Sequence, residues 1–212
     1  MKEASRHSSA AGGPAPDSLL HAVECLFFLS GAAALAYQVC WQRILYFSFG
    51  TDIESTTIIV SVFMMGLGLG ALAGGWAADR WFDKIVPLFA LSELGIGLFG
   101  LASPLLLTSV SDMFILSGRG TLAAVNFLVL LLPTSLMGAT LPMLITLCLK
   151  TYKNVGVSTG TLYCLNTLGA GTGCALASVG FIFLTLKGVI CVAACINAFV
   201  AATVYLKFRG RR

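Results

Sequence analysis

The sequence predicts an all-α fold, a polytopic integral membrane bundle of six transmembrane helices. Of its 212 residues, 58% are hydrophobic and only 10% are charged, whereas a soluble domain carries about 25% charged residues. The mean hydropathy of the chain is +0.92. The apolar residues fall into six runs, each long enough to cross a hydrocarbon layer of about 30 Å as a helix of about 20 residues. This composition argues against a soluble enzyme, a nucleic-acid-binding protein and a disordered tail.

The chain divides into a tail, a helical domain and a short basic end. Residues 1–18 are polar and rich in Ser, Ala, Gly and Pro, so we expect a disordered cytoplasmic segment. Residues 19–207 form the predicted transmembrane domain, and residues 208–212 a basic cytoplasmic tail. Backbone groups in lipid must pair within their own segment, so apolar runs of this length are expected to be helices. The predicted spans are 20–42, 56–78, 86–108, 121–147, 158–184 and 188–207.

Individual spans carry features that bear on their geometry. Glu24 interrupts the first apolar run, which argues against a cleaved signal peptide. The fourth and fifth runs are over-long for a straight span. We expect Pro133 and Pro142 to kink the fourth helix, and tilt to accommodate the remaining length. Only a short break at Lys187 and Gly188 interrupts the last two apolar runs.

The distribution of Lys and Arg predicts the orientation of the chain, because cytoplasmic segments of membrane proteins are enriched in both. With the N-terminus inside, most of the 13 basic residues lie on the cytoplasmic side. These are Lys2, Arg6, Arg80, Lys84, Lys150, Lys153, Lys207, Arg209, Arg211 and Arg212. The outer segments hold Arg43, Arg119 and Lys187. Both termini are therefore predicted to be cytoplasmic, with the basic C-terminal tail close to anionic lipid.

Five stretches, in their order and spacing, carry a family resemblance. They are LSGAAALAYQVCWQRIL (29–45), GLGLGALAGGWAADR (66–80), LSELGIGLFG (91–100), LLPTSLMGATLP (131–142) and LYCLNTLGAGTG (162–173). Together they resemble the membrane domain of bacterial spermidine-synthase-like proteins, which implies a bacterial inner membrane. The resemblance spans about residues 20–205.

In such relatives a cytosolic aminopropyltransferase-like domain follows the helices. It carries a glycine-rich nucleotide loop and acidic residues that bind polyamine and decarboxylated S-adenosylmethionine. This sequence ends at Arg212 with neither feature, so we expect no synthase chemistry, no catalytic residue and no cofactor. Gln38 also stands where the relatives commonly have Glu.

The segment GWAADR, with Asp79 and Arg80 after the second span, resembles the cytoplasmic loop motif of major facilitator transporters. Six helices would match one half of such a transporter. The alternative for this segment is a charged turn at the membrane surface.

Small residues recur at spacing four in two spans. Gly66, Gly70 and Gly74 do so in the second, and Gly169 and Gly173 in the fifth. Such faces let helix backbones approach closely in lipid. Three interpretations remain open: tight packing within the chain, a dimer interface, or a sliding transport interface. We expect Ala71 and Gly75 to extend the first of these faces.

Two acidic residues lie within the predicted spans. Glu93 lies about seven residues into the third span, roughly 10 Å deep at 1.5 Å per residue. Glu24 lies at comparable depth in the first span, on one face with Gln38. A charge at such depth is unfavourable by a few kcal/mol. The two carboxylates either bind a cation or relay protons, or they form ion pairs with Arg80 or Lys84.

Buried amides form a second polar set. Asn126, Asn166 and Asn197 are expected to cross-link helices, since amides in lipid need hydrogen-bond partners. The alternative is that they line a polar cavity. The predicted cavity or ion-binding residues are Glu24, Gln38, Glu93, Asn126, Tyr163, Asn166 and Asn197.

The outer end of the first span holds Trp41 and Arg43, which we interpret as an aromatic belt with a snorkelling arginine. In the loop that follows, we interpret Asp52 and Glu54 as a solvated outer turn; the alternative is pairing with Arg43 or Lys187.

Two functional hypotheses follow from these residues. The first is a non-catalytic membrane module that acts as a subunit or scaffold for a partner protein. The alternative is a small, homodimeric transporter for a cationic solute such as a polyamine. The seven cysteines show no CxxC and no zinc spacing, so no metal site is expected. The predicted partners are the lipid bilayer and either a protein or a second copy, with no nucleic acid.

Overall fold

A computed structural model describes residues 16–151 and 155–209, and in them the chain folds into six long helices. The helices are α1 (Pro16–Phe49), α2 (Asp52–Arg80), α3 (Ile85–Phe114), α4 (Arg119–Thr151), α5 (Val155–Phe183) and α6 (Leu186–Phe208). All six are long and apolar enough to cross a membrane. The predicted all-α bundle of six spans is therefore confirmed, and the chain is an integral membrane protein.

The helices extend beyond most of the predicted spans, so the connections are shorter than expected. Gly50 (φ 73°) follows α1, and Gly118 (φ 93°) precedes α4. Positive φ is accessible to glycine because it lacks a Cβ. Helix α1 already begins at Pro16, so the last three residues of the predicted tail are helical. The remainder of that tail, and residues 210–212 of the basic end, lie outside the described residues. Helix α4 is continuous through Pro133 and Pro142.

The start of α1 and the end of α6 lie at the same end of the bundle, which we call the terminal end. There, Val23 near the start of α1 shares an apolar cluster with Phe208 at the end of α6. At the opposite end, a second cluster contains Leu45 of α1 and Val189 of α6. An even number of antiparallel helices places the start of the first helix beside the end of the last one in this way.

The helix pairing has an internal symmetry. Helix α1 packs along α5, α2 packs along α4, and α3 packs against α6. If α1–α3 are exchanged with α4–α6, the first two pairs exchange and the third maps onto itself. Equivalent helices run in opposite directions, because α1 begins at the terminal end and α4 at the opposite end. The bundle is thus built from two inverted three-helix repeats, an arrangement found in many transporters.

Contacts of single glycines follow the same symmetry. A Cβ on Gly70 of α2 would overlap the carbonyl of Ser135 on α4. Equivalently, a Cβ on Gly169 of α5 would overlap the carbonyl of Phe28 on α1. The contact of Gly74 with Ala139 is equivalent to that of Gly173 with Ala32. The contact of Gly138 with Leu67 is likewise equivalent to that of Gly31 with Asn166.

The predicted glycine faces therefore serve packing within the chain. Gly66 also faces α4, where a Cβ would overlap Thr134. The expected extension by Ala71 and Gly75 is wrong, because Ala71 is exposed and no atom lies within 4 Å of a Cβ on Gly75. Both residues point away from α4.

The sequence itself contains a trace of the repeat. The motif LGAxxG occurs at residues 69–74 of α2 and again at 168–173 of α5. The motif LxGA occurs at 29–32 of α1 and again at 136–139 of α4. These are the segments whose backbones come closest, so the repeated residues are those that permit the close approach.

Candidate functional site

Glu93 of α3 is the centre of a buried polar site in which α1, α3 and α6 meet. Its side chain is 0% exposed. One carboxylate oxygen, Oε1, accepts a hydrogen bond from Ser30 Oγ at 2.6 Å. The other, Oε2, accepts one from Asn197 Nδ2 at 2.6 Å. Both oxygens of the carboxyl group thus accept short hydrogen bonds, which are stronger when the group is ionised.

The site lies well inside the bundle. At 1.5 Å per residue, Glu93 is about 12 Å from the first residue of α3, Ile85. Asn197 lies near the middle of α6 and Ser30 near the middle of α1. Water cannot easily reach a charge at this position, so the protein itself must stabilise it.

The predicted ion pairs with Arg80 or Lys84 are wrong. Both basic side chains are exposed, at the end of α2 and in the turn that follows. Among the described residues Glu93 forms no ion pair, and Glu24 pairs with His21 at 3.0 Å instead. The reason is geometric: Glu93 faces α1 and α6, whereas the two cations lie at the surface of the terminal end.

A cavity of about 70 Å³ lies beside Glu93, and all six helices contribute residues to its wall. Its polar lining residues are Ser30, Thr140, Asn166 and Asn197. Because each repeat supplies three of the helices, the cavity lies at the interface between the repeats. Ser30 and Asn197 connect it to the carboxylate of Glu93.

One polar atom of this lining has no hydrogen-bond partner. Asn197 is 1% exposed and its Nδ2 donates to Glu93, but its Oδ1 is unpaired. Leaving a buried acceptor unpaired is unfavourable by about 1–3 kcal/mol. Asn197 therefore lines the cavity and holds Glu93 with its amide nitrogen, while its oxygen is enclosed by protein.

The structure brings together only part of the predicted polar set. Glu93, Asn166 and Asn197 belong to the cavity region. Glu24 lies elsewhere, towards the terminal end. Gln38 is half-buried and outside the cavity lining, and Tyr163 is 61% exposed.

Asn126 is a cross-link rather than a cavity residue. It is fully buried and donates from Nδ2 to Ser111 Oγ of α3 at 3.3 Å and to the Leu122 carbonyl at 2.9 Å. The amide therefore joins α4 to α3, which agrees with the predicted helix cross-link and not with the alternative of a cavity residue.

Ser30 and Thr140 were not predicted as site residues. A lone hydroxyl in an apolar span can bond to its own helix, as Thr140 Oγ1 does with the Met137 carbonyl at 2.7 Å. Such residues therefore carry little signal in the sequence. Only the approach of α1, α3, α4 and α6 places these two hydroxyls beside the same cavity.

The aromatic-belt prediction for Trp41 is wrong. Trp41 is fully buried, donates from Nε1 to Ser103 Oγ at 2.8 Å, and stacks on Tyr37 with ring centroids 5.4 Å apart. Helix α1 is central in the bundle, so a tryptophan near its end still faces protein. Arg43 is exposed and lies 4.3 Å over the ring of Phe181.

Charged residues at the helix ends lie at the surface. Glu54 pairs with Arg119 at 2.7 Å at the surface, and not with Arg43 or Lys187, the alternative to a solvated turn. Asp79 and Arg80 are both exposed where α2 ends, which is consistent with a charged surface turn.

Oxygen atoms dominate the possible ligands of the cavity. No group of three or more His, Cys, Asp or Glu side chains suited to a metal ion occurs within the described ranges. The described cysteines are free thiols, none of which lines the cavity.

Comparisons of the chain with protein-family models, with curated proteins and with solved structures give no match. The resemblance to spermidine-synthase-like membrane domains therefore stays a prediction. The features that bear on function are the repeats, the buried carboxylate and the cavity.

Proposed function

We propose that the chain is a membrane transport module that binds a small cation beside Glu93, between two inverted repeats. The observation that supports this most directly is a fully buried carboxylate with no basic partner among the described residues. Hydrogen bonds from Ser30 and Asn197 stabilise the negative charge but do not neutralise it. An ionisable group in this position is unfavourable and characteristically marks an ion or substrate pathway.

The position of the cavity also supports transport. In transporters built from inverted repeats, substrates and ions bind near the bilayer midplane at the repeat interface, and the repeats move relative to each other. Here the cavity lies at that interface. The predicted likeness to half of a major facilitator transporter agrees with this arrangement, and a second copy would supply the other six helices.

The size of the cavity favours a small cation over a polyamine. A protein cavity of about 150 Å³ accommodates benzene, and this cavity is about 70 Å³. It therefore has room for an ion with a few water molecules. In this conformation it is too small for the polyamine suggested by the family resemblance.

The proposed orientation has the terminal end on the cytoplasmic side, as the distribution of basic residues predicts, and the family resemblance suggests a bacterial inner membrane. Glu93 lies closer to the terminal end, since α3 begins there. The cation would then have its shorter route to the cytoplasmic side.

Cation flux into liposomes tests the proposal. The full chain is reconstituted, and uptake of Na⁺, K⁺ and protons is recorded with ion-sensitive dyes. We expect Glu93→Gln, which keeps the shape but removes the charge, to lower flux at least about tenfold. That loss corresponds to about 1.4 kcal/mol.

The matched control is Glu24→Gln, which removes a carboxylate paired with His21 near the terminal end. It should leave flux close to wild type. Unchanged flux in well-folded Glu93→Gln protein would refute the transport role.

A subunit or scaffold role is the second candidate, and the surface of α5 favours it. Only 17% of its most apolar stretch is buried, the smallest fraction among the six helices. A Cβ added to Gly160 or Gly171 would have no neighbouring atom within 4 Å, and Phe183 is 80% exposed. A further helix can approach this face closely. Native mass spectrometry of protein from mild detergent distinguishes a second copy from a different partner.

A further inference from the structure

We infer that the cavity beside Glu93 binds a monovalent alkali metal ion, Na⁺ or K⁺, through neutral side-chain oxygens. This inference rests on the proposed function, because it names the class of cation that the site would take. Three observations support it: the orientation of the hydrogens around the cavity, the single charge beside it, and its size.

The polar groups that face the cavity have largely used their hydrogens elsewhere. The Ser30 hydroxyl donates to Glu93, and the Thr140 hydroxyl donates to the carbonyl of Met137. Each of these oxygens therefore retains only lone pairs for a ligand. A lining of acceptors favours a ligand that brings positive charge.

The orientation of the Asn197 amide is also fixed by its hydrogen bond to Glu93. Its amide nitrogen must face the Glu93 carboxylate, because the opposite orientation would place its oxygen against another acceptor. The nitrogen is thereby held at Glu93, and the buried Oδ1 remains without a protein partner. Asn166 adds a further amide group to the lining. Hydroxyl and amide oxygens are the ligands that hard metal cations prefer.

The charge of the site selects a monovalent ion. The only carboxylate that contacts the lining residues is Glu93, within the part of the chain that the structure describes. One positive charge balances it, whereas a divalent ion would leave an excess positive charge in an apolar interior, which is unfavourable. Glu93 acts through Ser30 and Asn197, which it orients and polarises, and is therefore a positioning residue for the ion ligands.

A proton on Glu93 is the competing way to remove the charge. It would break one of the two hydrogen bonds to the carboxylate or force the Ser30 hydroxyl to rotate and accept. An ion in the cavity balances the charge and leaves both hydrogen bonds intact.

Ion-dependent thermal stability of the full purified chain in detergent tests the inference. At constant ionic strength, we expect Tm to rise with the logarithm of the NaCl or KCl concentration when choline chloride is replaced, because an ion that binds only the folded state stabilises it. Calcium chloride and ammonium chloride serve as the divalent and non-metal probes, and both should give a smaller rise.

Two isosteric variants localise the effect. Thr140→Val removes a lining oxygen, and we expect an apparent ion affinity about tenfold weaker, equivalent to one lost ligand. Thr134→Val is the matched control. Thr134 is equally buried in α4 and bonds to its own helix in the same way, but it does not line the cavity. Glu93→Gln should abolish the ion dependence.

The outcomes separate the two proposals. Alkali-dependent stability that Thr140→Val weakens and Thr134→Val preserves supports the inference, even if liposomes show no flux, in which case only the transport role fails. Equal stabilisation by choline, a larger effect of calcium or ammonium, or equal ion affinity of the two threonine variants overturns the inference. Because the threonine variants are isosteric, this comparison holds even if Glu93→Gln does not fold.

Discussion

The glycine contacts make a quantitative prediction about Gly70→Ala. A Cβ on Gly70 would overlap three backbone atoms of Ser135. Backbone atoms cannot rotate away as a side chain can, so α2 and α4 must separate along their length. Overpacking of this kind typically lowers the free energy of unfolding by about 1–3 kcal/mol, and we expect a value in the upper part of that range.

The same helix offers a control of opposite sign. Gly75→Ala adds a Cβ with no atom within 4 Å. Alanine favours a helix over glycine by about 1 kcal/mol, so this variant should be as stable as the wild type or more stable. The repeat supplies a second pair: Gly169→Ala should be destabilised like Gly70→Ala, and Gly171→Ala should behave like Gly75→Ala.

The assay is reversible unfolding in mixed detergent micelles, with circular dichroism as the readout, for all four variants. We expect Gly70→Ala and Gly169→Ala to be less stable than the wild type. Gly75→Ala and Gly171→Ala should be as stable as the wild type or more stable. If Gly70→Ala and Gly169→Ala unfold at the same denaturant concentration as their controls, the close approach of the paired helices is incorrect. The equivalence of the two repeats would then lose its main support.

Two further predictions concern polar contacts. Trp41→Phe removes the hydrogen bond to Ser103. It should lower the free energy of unfolding, measured in the same assay, by about 1–2 kcal/mol. An unchanged free energy of unfolding would mean that Trp41 is not in the core. Arg119→Ala breaks an ion pair whose side chains are 70% and 36% exposed, so we expect a loss of at most about 1 kcal/mol that salt diminishes. A larger, salt-insensitive loss would contradict the exposed position of this pair.

Much of the fold was predictable because the lipid environment imposes few alternatives. Each apolar run had to be a helix, since unpaired backbone groups in hydrocarbon are too unfavourable. The ends of the helices were less predictable, because helices continue past the hydrocarbon layer. Helix α3, for example, was predicted to end at residue 108 and ends at Phe114.

The candidate site was predictable only in part. Glu93 and the amides stood out because charged and strongly polar residues are unfavourable in lipid. Periodicity assigns such a residue to a face of its own helix but does not identify the helix that it meets. For that reason the expected ion pair of Glu93 with Arg80 or Lys84 was wrong, and Ser30 was missed.

The sequence alone determined the number of helices, their apolar character and the depth of their polar residues, because these follow from the free energy of transfer of each segment into lipid. The tertiary structure alone decided that α1 lies along α5 and α2 along α4, and thus that Glu93, Ser30 and Asn197 meet beside one cavity. Lipid does not distinguish one apolar helix surface from another. The choice among neighbours is instead made by close packing, which depends on the shapes of both partners.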